Sequence, residues 1–118
     1  MVVEDADTED GAGALATIPP IEWLAWSLVC AGVLLDVGTT AFGLSQGLVE
    51  ANPIVREAMA RLGPVGAMLA LKGTVLAVGI VAWSASSSPY RHLIPLGMAF
   101  PWLLAGLQNV VLLVGVLY

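Results

Sequence analysis

Three apolar stretches, roughly residues 22–47, 64–84 and 93–118, dominate the chain and carry very few charges. Each reaches the ~20 residues an α-helix needs to cross a hydrocarbon core about 30 Å thick. A bilayer interior offers exposed peptide groups no hydrogen-bond partner, so only helices and closed barrels span it. Three strands cannot close a barrel, and barrel-type alternation is missing. The expected fold is therefore all-α: a polytopic membrane protein with three transmembrane helices. Composition agrees, with 58% of the 118 residues hydrophobic and 11% charged, against about 25% charged in a typical soluble domain. The length fits one membrane domain over 21–118, after a tail over 1–20.

Two of these stretches hold a charge well inside them, Asp36 in the first and Lys72 in the second. A charge at the bilayer centre costs roughly 2.5–17 kcal/mol, so such residues persist when paired, hydrated or used. Asp36 lies about eleven residues before the end of its span and Lys72 about eight after the start of the next; at 1.5 Å per residue the two share a depth. Asn109 lies about nine residues before the end of the third span, at a similar level. Asp36, Lys72 and Asn109 are thus expected to form one polar layer. Thr39 and Thr40 join it from the Asp36 face, which also carries Gly32, Gly43 and Gly47. Two further small-residue faces are expected, Gly66, Ala70, Gly73 and Ala77 in the second span, and Gly97, Pro101 and Ala105 leading to Asn109 in the third. The layer reads either as a structural ion pair with Asn109 satisfying leftover hydrogen bonds, or as a relay or polar ligand pocket. Snorkelling of Lys72 to the interface is a third reading.

The first loop has structure of its own. Asn52 is a natural N-cap and Pro53 a natural first helical residue. Ile54, Val55, Ala58, Met59 and Leu62 follow at helical spacing, with Arg56, Glu57 and Arg61 off that face. A short interfacial helix over 53–62 is expected, ended by Gly63-Pro64. Glu50 and Asn52 reach the polar layer if this helix folds back over the bundle. Arg56 and Arg61 in the first loop outnumber Arg91 in the second, so the positive-inside rule favours a cytoplasmic first loop. Trp and Tyr cluster near span ends, as interfacial aromatics do, apart from the deeper Trp102.

Glu4, Asp5, Asp7, Glu9 and Asp10 make the first twenty residues an acidic tail, expected to be disordered and solvated. Such a tail has the wrong charge for a secretory signal. Together with the net charge of −5 it suits a salt-rich cytoplasm.

The set Asp36, Thr39-Thr40, a following glycine, Glu50-x-Asn52-Pro53 and a lysine in the next span resembles a family of small membrane proteins catalogued as domain of unknown function 5658. Its members occur in archaea, halophiles included, and in bacteria. The resemblance covers roughly residues 23–84. It implies that Asp36, Glu50, Asn52, Pro53 and Lys72 form a linked set, and it implies no activity.

Other chemistry finds little support. Cys30 is the sole cysteine, so no intrachain disulfide forms, and a buried structural thiol is expected. His92 is the lone histidine, so no metal cluster is expected and no cofactor. The serines of 84–88 have no histidine at a suitable depth for a hydrolase. There is no basic patch or nucleic-acid motif. The expected partners are the lipid bilayer, a second copy or another membrane protein, with no nucleic acid. Three functions remain in view, for a protein placed in the cell membrane. The first is a non-enzymatic structural or accessory component. The second is a small channel or transporter working as an oligomer. The third, the weakest for lack of a nucleophile partner, is an intramembrane enzyme with Asp36 or Glu50 as acid/base.

Overall fold

The computed structural model describes residues 18–118, so most of the acidic tail expected over 1–20 lies outside the described residues. Among the described residues there are four helices: α1 (Pro20–Ser45), α2 (Pro53–Leu62), α3 (Pro64–Ala85) and α4 (Leu93–Leu117). The described residues form no strand. The three longer helices are long and apolar enough to cross a membrane.

Proline and glycine set the boundaries. Pro20, Pro53 and Pro64 each open a helix, where the missing N–H costs nothing. The Asn52 side chain accepts hydrogen bonds from the Ile54 and Val55 amides at 2.9 and 3.5 Å, capping α2. α1 ends in a Schellman motif: Gly47, at φ +94°, donates to Leu44 O, and Leu48 donates to Gly43 O. Gly63 takes φ 79° and ψ 162°, a region open essentially to glycine alone. It lets the chain leave α2 and enter α3 with a single intervening residue.

α1 and α4 pack along most of their length, while α3 touches both far less. Partners advance together along α1 and α4: Glu22 meets Arg91, Gly32 meets Trp102, and Asp36 meets Asn109. The two helices are therefore parallel. Along α3 the order reverses, since Lys72 meets Asp36 and Trp83 meets Glu22.

The α1–α4 seam has a heptad rhythm. On α1 the buried positions are Glu22, Ala25, Val29, Gly32, Asp36 and Gly43. On α4 they are Pro95, Ala99, Gly106 and Leu113, with the half-buried Trp102 and Asn109 completing the row. Steps of three and four residues keep one stripe facing a partner over many turns. Glycine sets the separation. A Cβ on Gly32 would lie 3.2 Å from Trp102 Cβ and 3.3 Å from the Leu103 backbone nitrogen, and one on Gly106 would lie 2.6 Å from Leu35 Cγ. Apolar side chains too large for this seam face outward, among them Leu34, Val78, Phe100 and Val111, as suits a lipid-facing surface.

Two small-residue rows expected from the sequence lie elsewhere. Gly66, Ala70, Gly73 and Ala77 are all exposed on α3, whose inner face is instead formed around Met68, Lys72, Leu76, Gly79 and Trp83. Gly97 and Pro101 are exposed on α4, and the seam runs through Ala99 and Gly106. Steps of four advance 40° beyond a full turn, so a row such as 97, 101, 105, 109 winds off any straight contact line. Cys30 is exposed on the outward side of α1, which corrects the expectation of a buried thiol.

Gly32→Leu is expected to wedge α1 from α4 and lower stability by about 2–3 kcal/mol. Gly38→Leu, where a Cβ meets nothing within 4 Å, is expected to be near neutral. Denaturant titration of both variants in lipid–detergent micelles checks the contrast.

Candidate functional site

The heptad seam carries Asp36 into the bundle, where it is 8% exposed. A residue so enclosed keeps its charge only with good partners. Lys72 of α3 supplies the counter-charge, its Nζ 2.6 Å from Asp36 Oδ2, with both side chains 11% exposed. Lys72 Nζ also stands 4.8 Å from the centroid of the Trp102 ring, a cation–π contact. Trp102 is therefore packed in the bundle, and Lys72 points inward rather than snorkelling.

Asn109 of α4 completes the layer. Its Nδ2 lies 3.1 Å from Asp36 Oδ1, 3.0 Å from Thr39 Oγ1 and 2.9 Å from Thr40 Oγ1. With two hydrogens it serves two of these three acceptors at a time. Thr39 donates its own proton to Leu35 O at 2.7 Å, leaving its oxygen lone pairs open to Asn109. Thr40 reaches Asp36 Oδ1 at 3.5 Å. The structure thus brings Asp36, Thr39, Thr40, Lys72 and Asn109 together, while Gln108 faces outward.

The loop motif stands beside this layer. Glu50 lines a cavity of about 300 Å³ with Asp36, Thr40, Lys72 and Asn109. A second cavity of about 140 Å³ shares Thr40, Glu50 and Asn109. Val55 of α2 reaches the larger cavity, although α2 packs against α3 and not against α1 or α4. Asn52 and Pro53 line neither. Their role is local: the Asn52 amide donates to Glu50 Oε1 at 2.9 Å while the Asn52 side chain caps α2, which holds Glu50 at the cavity.

A second ionic cluster, which the sequence reading did not assemble, lies at the opposite end. Glu22 is only 3% exposed. Arg91 grips both of its oxygens, through Nε on Oε1 and through Nη2 on Oε2 at 3.1 Å. Trp83 Nε1 donates to Oε1 at 2.8 Å. The Arg91 guanidinium stacks 4.5 Å over the Trp83 ring, and Trp26 meets Trp83 edge-on at 5.6 Å. The available signal was topological: the first and third spans start on the same side, which puts Glu22 and Arg91 at one level. No three His, Cys, Asp or Glu side chains among the described residues stand close enough to share a metal ion.

The family described as Domain of unknown function (DUF5658) matches residues 27–117. The chain belongs to this family. The match extends the resemblance read from the first two spans through the third, so that Asp36, Glu50, Asn52, Lys72 and Asn109 all fall within the DUF5658 region. No curated protein and no solved structure matches the chain.

Proposed function

We propose that this DUF5658 protein is a non-enzymatic structural or accessory component of the cell membrane, whose Asp36–Lys72–Asn109 layer specifies how its three long helices assemble. The observation that carries this reading is that both oxygens of the Asp36 carboxylate are occupied by side chains of the other two long helices. Asp36 Oδ2 is occupied by Lys72, and Oδ1 faces Asn109 and Thr40. A carboxylate and an ammonium at 2.6 Å neutralise each other. A buried pair of this kind adds little net stability over apolar packing, but it penalises every arrangement that separates its members. The outward row of small residues on α3 gives a second copy or another membrane protein a close approach.

A channel or transporter reading draws on the 300 Å³ cavity that reaches the pair. It requires the pair to open during each cycle. An enzyme reading lacks an activated nucleophile: the Thr39 hydroxyl donates to Leu35 O, and Cys30, the sole thiol, is exposed on the outer side of α1.

The test replaces both members together. Asp36→Leu with Lys72→Met is expected to insert, keep its helical content and unfold at unchanged or higher denaturant, with a change of about 0 to +4 kcal/mol. Vesicles holding the native protein are expected to pass protons and K⁺ no faster than protein-free vesicles. Flux that requires Asp36 and Lys72 would overturn the scaffold role in favour of the transporter.

A further inference from the structure

The larger cavity beside the ionic layer has an imbalance of charge and of hydrogen-bonding groups. Two carboxylates, Asp36 and Glu50, and one ammonium, Lys72, line it, so it carries one net negative charge. Asp36 and Lys72 cancel at 2.6 Å, which leaves that charge on Glu50. Glu50 Oε1 accepts from the Asn52 amide, and its Oε2 has no partner among the described residues. The Nδ2 hydrogens of Asn109 are taken by the layer, while its Oδ1 has no donor among the described residues. The free groups are therefore acceptors, and the free charge is negative.

From this we propose that the cavity is a binding site for a primary alkylammonium group. An ammonium brings three N–H donors and one positive charge, matching a carboxylate oxygen and an amide carbonyl. An anion finds no free cation there, because Lys72 is already paired and stacked on Trp102. Val55, Met68 and Leu71 form an apolar wall that fits a short hydrocarbon stem and gives a bare inorganic cation no contact. A volume of about 300 Å³ stands at the small end of ligand pockets, which limits the occupant to a few carbons beyond its amine. The group can arrive as a soluble amine or as the ethanolamine headgroup of a phospholipid; the ammonium chemistry is common to both. The inference stands apart from the scaffold role, since the Asp36–Lys72 pair stays closed throughout.

The experiment titrates n-butylammonium chloride into ¹⁵N-labelled protein in zwitterionic phosphatidylcholine nanodiscs and follows side-chain amide signals. The chain has two asparagines, Asn52 and Asn109, so the Asn109 signal is readily assigned. A saturable shift of Asn109 is expected. It should weaken about tenfold or more in Glu50→Gln, which removes the charge without changing the shape. It should persist in Glu57→Gln, whose side chain pairs with Arg61 on the exposed face of α2. A parallel arm adds phosphatidylethanolamine to the nanodiscs. The same Asn109 shift there identifies the headgroup as the source, and a shift with n-butylammonium alone identifies a soluble amine. No saturable shift from either probe, an equal response to NaCl at the same concentration, or undiminished binding by Glu50→Gln would each overturn the proposal. The Asp36→Leu/Lys72→Met result bears on the scaffold alone, so the two ideas fail separately.

Discussion

Lys72→Met is expected to destabilise the folded protein by about 3–5 kcal/mol, the cost of leaving a buried carboxylate without its counter-ion. Methionine keeps the length and most of the volume of the lysine stem, so packing against Trp102 is largely preserved and the loss isolates the charge. Asn109 and Thr40 still face Asp36 Oδ1, but Oδ2 loses its 2.6 Å partner and no other cation among the described residues stands beside it. The companion Asp36→Leu strands Lys72 in the same way, beside a Trp102 ring that offsets a small part of the loss. Combined, the two changes remove both stranded charges. The double variant should therefore be more stable than either single one, with a coupling well above the roughly 0.5–3 kcal/mol usual for contacting pairs, because each single change strands a buried charge and the double change strands none. Denaturant titration of the four proteins in the same micelle gives this coupling directly.

Arg91→Met is expected to cost about 3 kcal/mol through the other ionic cluster. Glu22 is the more enclosed of the two acids, at 3% exposure, and without Arg91 it keeps only the Trp83 indole N–H at 2.8 Å. Arg91→Lys should lie between the variant and the native protein, because an ammonium restores charge but neither the two-pronged grip nor the flat stack on Trp83. Adding Glu22→Gln to Arg91→Met should recover much of the loss. The exposed Glu57–Arg61 pair on α2 makes a useful contrast: a solvated pair one helical turn apart contributes little, and removing either member should leave the unfolding midpoint nearly unchanged. Thermal unfolding followed by circular dichroism checks all four.

The two clusters divide the work of a small bundle. Few large side chains are buried; the enclosed apolar residues are Ala25, Val29, Ala67, Met68, Ala99 and Leu113. Lipid tails are as apolar as leucine, so burying hydrocarbon between membrane helices gives little drive to associate. Close glycine contacts align α1 with α4. α3, which touches them far less, is tied near its middle by Lys72 and near its C-terminal end by Trp83 beneath Arg91.

The sequence revealed the helices because their limits are chemical. Asn52-Pro53 and Gly63-Pro64 leave the chain few options, and the ends of α2 fall at the expected 53 and 62. The meeting of Asp36 with Lys72 and Asn109 was legible for a similar reason: residue rise fixes depth, and depth narrows the choice of partners. Rotation about the helix axis was not legible from small residues alone. Gly66, Ala70, Gly73 and Ala77 keep a 4-3-4 spacing as good as any seam, yet they face outward, because turning Lys72 inward carries Gly73 about 100° away. On α4 the i+4 row from Gly97 was followed where the 3-4 row through Ala99, Trp102, Gly106 and Asn109 makes the contact. Glu22 and Arg91 escaped notice because each sits at a span end, where a solvated charge costs little and calls for no partner.

The most direct test of the central claim uses the fact that Lys72 is the only lysine in the chain. Labelling lysine with ¹⁵N and aspartate with ¹³C places one ammonium nitrogen against the carboxylate carbons, and dipolar recoupling in hydrated bilayers reads their separation. A paired Asp36 and Lys72 predict strong dephasing of the lysine signal, from a nitrogen–carbon distance of about 3–4 Å, abolished by Asp36→Asn at unlabelled asparagine. A lysine signal that shows no coupling to any aspartate carboxylate in the folded protein would contradict the account.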